Sequence, residues 1–264
     1  MNAKLLQWLN VIAVIGTILL NALVNILLVG GVTTGEVSDS YPNLFTPPGY
    51  VFAIWSVIYT LAIVFMFYQI RANQRDEAYL QEIGPLYVIG SLVNVGWLYL
   101  FHFSYGSPAL LLATPLLIVM FLVILLWTYV RLGVGVKEVS LGQKLGIHLH
   151  FSVYLGWISL ATIANIASAL NVLIPGIPLD IQAIWTALII LVALVLTLLM
   201  LYRRRDIVYA LVVIWASIGI ATKQASVTII AWTTWGAIAL IVVAIILLPL
   251  LMKKSIKNYY LVRE

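Results

Sequence analysis

The sequence predicts an all-α, polytopic membrane bundle of eight transmembrane helices, and three observations predict it. Hydrophobic residues make up 64% of the chain and charged ones only 9%, against roughly 25% charged in soluble domains. The mean hydropathy of +1.11 comes from separate apolar runs of about 20 residues, the length a helix needs to cross hydrocarbon. Barrel strands would alternate in shorter segments. Lysine and arginine, finally, gather between alternate runs.

Taken in order, the spans are predicted at 5–29, 48–70, 83–103, 109–130, 145–173, 181–202, 207–226 and 227–252. The first is too long for a cleaved signal peptide, and no small-x-small site follows it. The second opens on Pro47 and Pro48, which fit a loop and a first helical turn because proline lacks the amide hydrogen that helix interiors need. The long fifth span is expected to tilt or to overhang the bilayer. In the seventh the apolar part ends near Thr222. That leaves about 16 residues, or roughly 24 Å, so Lys223 is expected to snorkel at its end. Two prolines and a glycine in 171–182 mark the best internal boundary. The chain thus divides into a five-helix unit, 1–173, and a three-helix unit with a basic tail, 174–264.

Eight spans put both termini and the second, fourth and sixth loops on one side. That side holds Lys4, Arg71, Arg75, Arg131, Lys137, Lys144, Arg203, Arg204, Arg205, Lys253, Lys254, Lys257 and Arg263. The other side holds Lys223 alone. Positive charge marks the cytoplasmic side, so an integral protein of the plasma membrane with both termini cytoplasmic is expected. The net charge of +5 then reports topology and implies no nucleic-acid partner. Arg203, Arg204 and Arg205 read as a topology anchor with a secondary contact to anionic lipid.

Several function classes drop out. The chain has no cysteine, which removes thiol catalysis, disulfides and thiolate metal sites. No Asp, Glu, Lys or Arg falls well inside a predicted span, which disfavours ion-coupled transport. No carboxylate pair or nucleophile–base set is visible, so the reading leans away from an enzyme. His148 and His150 are two residues apart and point to different helix faces, with His102 at the opposite end of the membrane. They read as interfacial, and no metal site and no certain cofactor is expected.

What remains are polar and aromatic stripes on apolar helices. Trp55 and Tyr59 are four apart, and Asn94 and Trp97 three apart. Tyr154, Trp157, Ala161, Asn165 and Ser168 follow spacings of three and four, so each set shares one helix face. A buried amide is costly without a hydrogen bond, so these faces should turn inward. Aromatic walls with a few polar groups suit a small-molecule pocket, and Ala161 leaves room there. Asn21 and Asn25 form a fourth stripe, more simply explained as interhelical hydrogen bonding. Trp215, Trp232 and Trp235 read as packing or interfacial-belt residues. Ahead of the second span, Pro47, Pro48, Gly49 and Tyr50 form a stiff loop that reads as a lid.

Three of these segments together resemble the TspO/MBR family, the tryptophan-rich sensory proteins and translocator proteins. They are Pro47, Pro48, Gly49, Tyr50, Val51, Phe52, Trp55 and Tyr59; Asn94 with Trp97; and Tyr154, Trp157, Ala161, Thr162 and Asn165. The resemblance covers about the first 170 residues, the family's five-helix unit. Two departures mark a divergent, extended member: a proline-to-Trp55 spacing one residue short, and Val153 where a proline usually precedes the tyrosine. The resemblance implies a ligand-binding or sensory membrane protein whose partner is a flat hydrophobic molecule, porphyrin- or sterol-like. Its pocket would lie among spans one, two, three and five beneath the 31–48 loop. Trp55, Trp97 and Trp157 would stack on the ligand, and Asn94 and Asn165 would hydrogen-bond it. Light-dependent porphyrin breakdown and a homodimeric state are compatible with it. The alternative is an uncoupled facilitator of a small apolar or neutral molecule. Glu36, Asp39 and Asp180 outnumber Lys223 in the outer loops, which predicts repulsion of porphyrin propionates.

Overall fold

The computed structural model describes residues 2–26 and 31–260. The end of the first predicted span, at 27–29, and Arg263 lie outside them. Every regular element among the described residues is helical. α1 spans Ala3–Ile26, α2 Thr34–Ser40, α3 Ile54–Gln69, α4 Leu86–Phe103 and α5 Thr114–Arg131. They are followed by α6 Leu149–Leu173, α7 Leu179–Leu199, α8 Ile207–Lys223, α9 Thr228–Leu251 and α10 Ile256–Tyr260. A 3-10 turn, Gly49–Ala53, leads into α3, and a π-helical turn, Lys144–His148, leads into α6.

Among the described residues, seven helical stretches are long and apolar enough to cross a membrane. α8 is the eighth apolar helix. It has 17 residues and is about 26 Å long at 1.5 Å per residue. It stops at Lys223, three residues short of the predicted end, and the next helix starts after only four residues. The predicted third span also starts late. Gly84, at φ 52°, turns the chain sharply and leaves Tyr79–Ile83 as a separate helical turn outside the span.

The packing closes α1, α4, α5, α6 and α3 into a ring, in that order around it. α6 then packs on α8, while α9 packs on both α7 and α8. The α6–α8 approach needs Gly156, since a Cβ there would stand 3.0 Å from Val212 Cβ; small residues let membrane helices come this close. Phe65, Phe121 and Phe151 fill the centre of the ring and are fully buried. At one end Gln7 and Gln69 exchange side-chain-to-backbone hydrogen bonds that tie α1 to α3. At the opposite end the segment that carries α2 lies over the ring.

Candidate ligand-binding site

The lid is built from short-range signals. Thr33 caps α2 by accepting from the Glu36 amide, and the Glu36 carboxylate accepts from the Thr33 amide at 2.7 Å. The bonds that its carboxylate accepts from the Thr33 amide and the Thr33 hydroxyl hold the Glu36 carboxyl below its ordinary value of 4.5. Downstream, Asn43 Oδ1 accepts from the amides of Phe45 and Thr46 at 2.9 Å, a side-chain turn that asparagine favours. Its Nδ2 donates to Ser168 Oγ on α6 at 2.8 Å. The Tyr41 hydroxyl donates to the Ser104 carbonyl beyond α4. The Asn25 Oδ1 on α1 accepts from the Thr34 hydroxyl at 2.9 Å.

α8 holds the same segment from the other flank. Trp215 Nε1 donates to the Val51 carbonyl at 3.2 Å, and its ring meets the edge of Tyr50 at 5.9 Å. Lys223 pairs with Asp39 at 2.9 Å. Gly219 faces Val51, Pro47 and Pro48 so closely that a Cβ would stand 2.5 Å from Val51 Cγ2.

Beneath the lid lies a hollow whose free space is about 40 Å³. Phe52, Trp55, Trp97, Phe101 and Trp157 provide its aromatic wall, and Ala161, Ala164 and Asn165 its α6 side. Pro47 closes it from the lid, and Ala216 and Ile220 close it from α8. Trp55 and Trp157 meet edge to face at 6.3 Å, and Phe52 and Trp157 at 5.6 Å. Trp97 stacks on Phe101 at 5.5 Å. Two wall groups are unusual: the indole Nε1 atoms of Trp97 and Trp157 are buried and have no hydrogen-bond acceptor among the described residues.

The expected site residues divide into three groups. Trp55, Trp97, Trp157, Ala161, Asn165 and Pro47 come together around the hollow. Asn165 is also anchored, its Nδ2 donating to Thr114 Oγ1 at 2.9 Å. Asn94 is absent from the hollow's wall; its Oδ1 accepts from Asn21 Nδ2 at 3.0 Å, and the same amide lies 3.1 Å from the Tyr59 hydroxyl. Asn21 and Asn25 line instead an open cleft of about 470 Å³ beside the hollow, together with Gly49 and Tyr59. Phe52 and Trp55 form a wall common to the two spaces. Tyr154 packs against Trp55 at 6.0 Å behind the hollow. Pro48 rests against α8, and Tyr50 is half exposed.

The side of the hollow expected from the first span is therefore supplied by α8. Ala216, Gly219 and Ile220 escaped sequence reasoning because small and aliphatic residues on an apolar helix carry no signal of what they face.

A model of the family described as TSPO-like protein matches residues 7–247. The chain belongs to this TSPO-like family. The match runs beyond Leu173 through α7, α8 and most of α9, so it includes the helix that closes the hollow. Comparison with curated proteins and with solved structures returns no match. The family and the helical bundle together identify a TspO-type integral membrane protein.

Proposed function

We propose that this protein holds a flat hydrophobic molecule, of porphyrin or sterol kind, in the tryptophan-walled hollow beneath its lid. The observation that carries the reading is the pair of buried indole N–H groups, Trp97 Nε1 and Trp157 Nε1, which have no acceptor among the described residues and sit in a mainly apolar wall. A buried donor left unpaired costs about 1–3 kcal/mol. A carbonyl, hydroxyl or ring nitrogen on a ligand would relieve that cost while its apolar body met the aromatic rings.

Free space of about 40 Å³ takes no such ligand unaided, since pockets for drug-sized molecules measure roughly 300–1,000 Å³. Room is available next door. Rotation of Phe52 and Trp55 out of the common wall would join the hollow to the 470 Å³ cleft.

The charges at the mouth favour a neutral ligand. Lys223 is paired with Asp39, and Glu36 is exposed, its carboxyl held below its ordinary value by the Thr33 bonds. A free-acid porphyrin would bring propionates to a carboxylate with no unpaired lysine beside it. Protoporphyrin dimethyl ester is therefore expected to bind more tightly than protoporphyrin, as read by the Soret shift of detergent-solubilised protein. Glu36→Gln preserves the capping box, which accepts Gln as well as Glu, and should strengthen free-acid binding a few-fold at low salt. Trp157→Phe should weaken binding of the ester about tenfold through loss of one buried hydrogen bond and part of the ring contact. Ester binding unchanged in both Trp97→Phe and Trp157→Phe would remove the hollow as the site. Mass spectrometry of molecules that copurify in mild detergent would identify the natural occupant.

A further inference from the structure

We propose a second binding site, for a phosphate-bearing group, in a crevice at the opposite end of the bundle from the lid. The crevice lies between the start of α6, the turn joining α7 to α8, and α10. It has free space of about 120 Å³, and Lys137, Lys144 and Arg205 line it. This inference is independent of the ligand assigned to the hollow.

The crevice is built by close backbone contacts. Gly135, at φ 73°, lies against the α7–α8 turn, where a Cβ would stand 1.9 Å from the Arg204 carbonyl oxygen. Arg204 in turn donates to the Val134 carbonyl at 3.3 Å. The loop after α5 is thereby fixed beside Arg205, and Lys137 follows two residues later.

The polar groups are arranged for an anion. One carboxylate, Asp206, lines the crevice among the described residues, and it is fully engaged. Its oxygens accept from the Tyr129 hydroxyl at 2.7 Å, from the Ser152 hydroxyl and from the Tyr209 amide at 3.0 Å. Lys137 pairs with Glu82 at 2.6 Å, outside the crevice lining. Arg205 has no carboxylate within ion-pair distance among the described residues; its guanidinium lies over the Tyr259 ring at 4.9 Å. His148 is only 6% exposed, and its Nε2 is buried without a hydrogen-bond partner among the described residues. Arg205 also adopts the left-handed conformation, at φ 54°, which side-chain-bearing residues seldom take. A phosphate group would give the arginine fork and the imidazole charge-assisted partners. The crevice lies where the membrane helices end, within reach of a lipid headgroup or of a soluble phosphate compound; basic clusters at this depth attract anionic lipid.

Two arms test the site and separate the sources, both with the full chain. In nanodiscs of pure phosphatidylcholine, inorganic phosphate is titrated while the melting temperature is followed. In parallel, the protein is exchanged into phosphatidylcholine doped with phosphatidic acid, and retained lipid is counted by native mass spectrometry. A phosphate-dependent rise in melting temperature assigns a soluble ligand, whereas selective retention of phosphatidic acid alone assigns a headgroup; either supports the site. Arg205→Asn tolerates the left-handed backbone and should weaken the observed binding about tenfold. Arg203→Gln removes the same charge outside the crevice and should leave it unchanged. Lys144→Gln replaces Arg205→Asn if that variant does not fold. No response in either arm, or equal losses in the crevice variant and Arg203→Gln, overturns the proposal.

Discussion

Gly219 shows how much a single missing side chain decides here. A methyl at this position would stand 2.5 Å from Val51 Cγ2 and 3.2 Å from both Pro47 Cβ and Pro48 Cδ. Proline rings cannot yield by rotation, and valine has little freedom, so the lid would have to move. Overpacking of this kind costs about 1–3 kcal/mol, against a gain of about 1 kcal/mol from replacing glycine within a helix. Gly219→Ala should therefore lower the melting temperature in detergent, and Val51→Ala added to it should restore most of the loss. A Gly219→Ala protein as stable as its parent would mean that the lid is free to shift. Nothing in the sequence marks Gly219, because a glycine in an apolar run reads the same whether it faces lipid or a proline. The tryptophans were legible for the opposite reason. Trp55, Trp97 and Trp157 are large, amphipathic and set at helical spacing with polar neighbours, and all three wall the hollow. Asn94 was legible as an inward residue but not by destination: its Oδ1 accepts from Asn21, a partner that spacing within one helix cannot reveal.

At the scale of elements, the lid is a short helix and a turn held on four helices, and its fastenings differ in strength. The Lys223–Asp39 pair is well solvated, with side chains 31% and 54% exposed. Such surface pairs contribute about 0–1 kcal/mol. The Trp215-to-Val51 hydrogen bond comes with a ring contact to Tyr50, and together these should contribute more. Deuterium exchange of the 33–53 segment should rise clearly in Trp215→Phe and only slightly in Lys223→Gln at physiological salt. The reverse order would make the ion pair the principal latch. Acid should loosen the other end of the lid. The Glu36 carboxyl is held below its ordinary value by the Thr33 bonds, so its contribution is complete above that ordinary value and lost as pH falls through the lowered one. Exchange at α2 should therefore rise in acid, and Glu36→Gln should flatten that response. The lid as an element was readable from Pro47, Pro48 and Gly49. Its attachment to α8 was not, because 164 residues separate Trp215 from Val51 and no local pattern links them.

For the whole molecule, the number of membrane crossings turns on α8, the helix that buttresses the ring of α1, α4, α5, α6 and α3. Seven stretches among the described residues qualify by length and apolarity, and α8 decides whether the crossing number is odd or even. Its 17 residues give about 26 Å, short of a hydrocarbon core of roughly 30 Å. Lys223 at its lid end, paired with Asp39, is positioned to cover the shortfall by reaching to the interface. Charge makes the same argument independently. With α8 crossing, the cations of the loops before α4, α6 and α8 share a side with both termini, and Lys223 stands alone opposite them. Without that crossing, Lys253 and Lys254 would move to the lid side against the positive-inside rule. Reporter fusions resolve the count. An alkaline phosphatase fused after residue 225 should be active outside, and a fluorescent protein fused after 252 should be bright inside. A dark fusion at 252 together with an active phosphatase there would remove α8 from the membrane. It would also leave the hollow's fourth wall, Ala216 and Ile220, resting on the surface of the bilayer rather than within it.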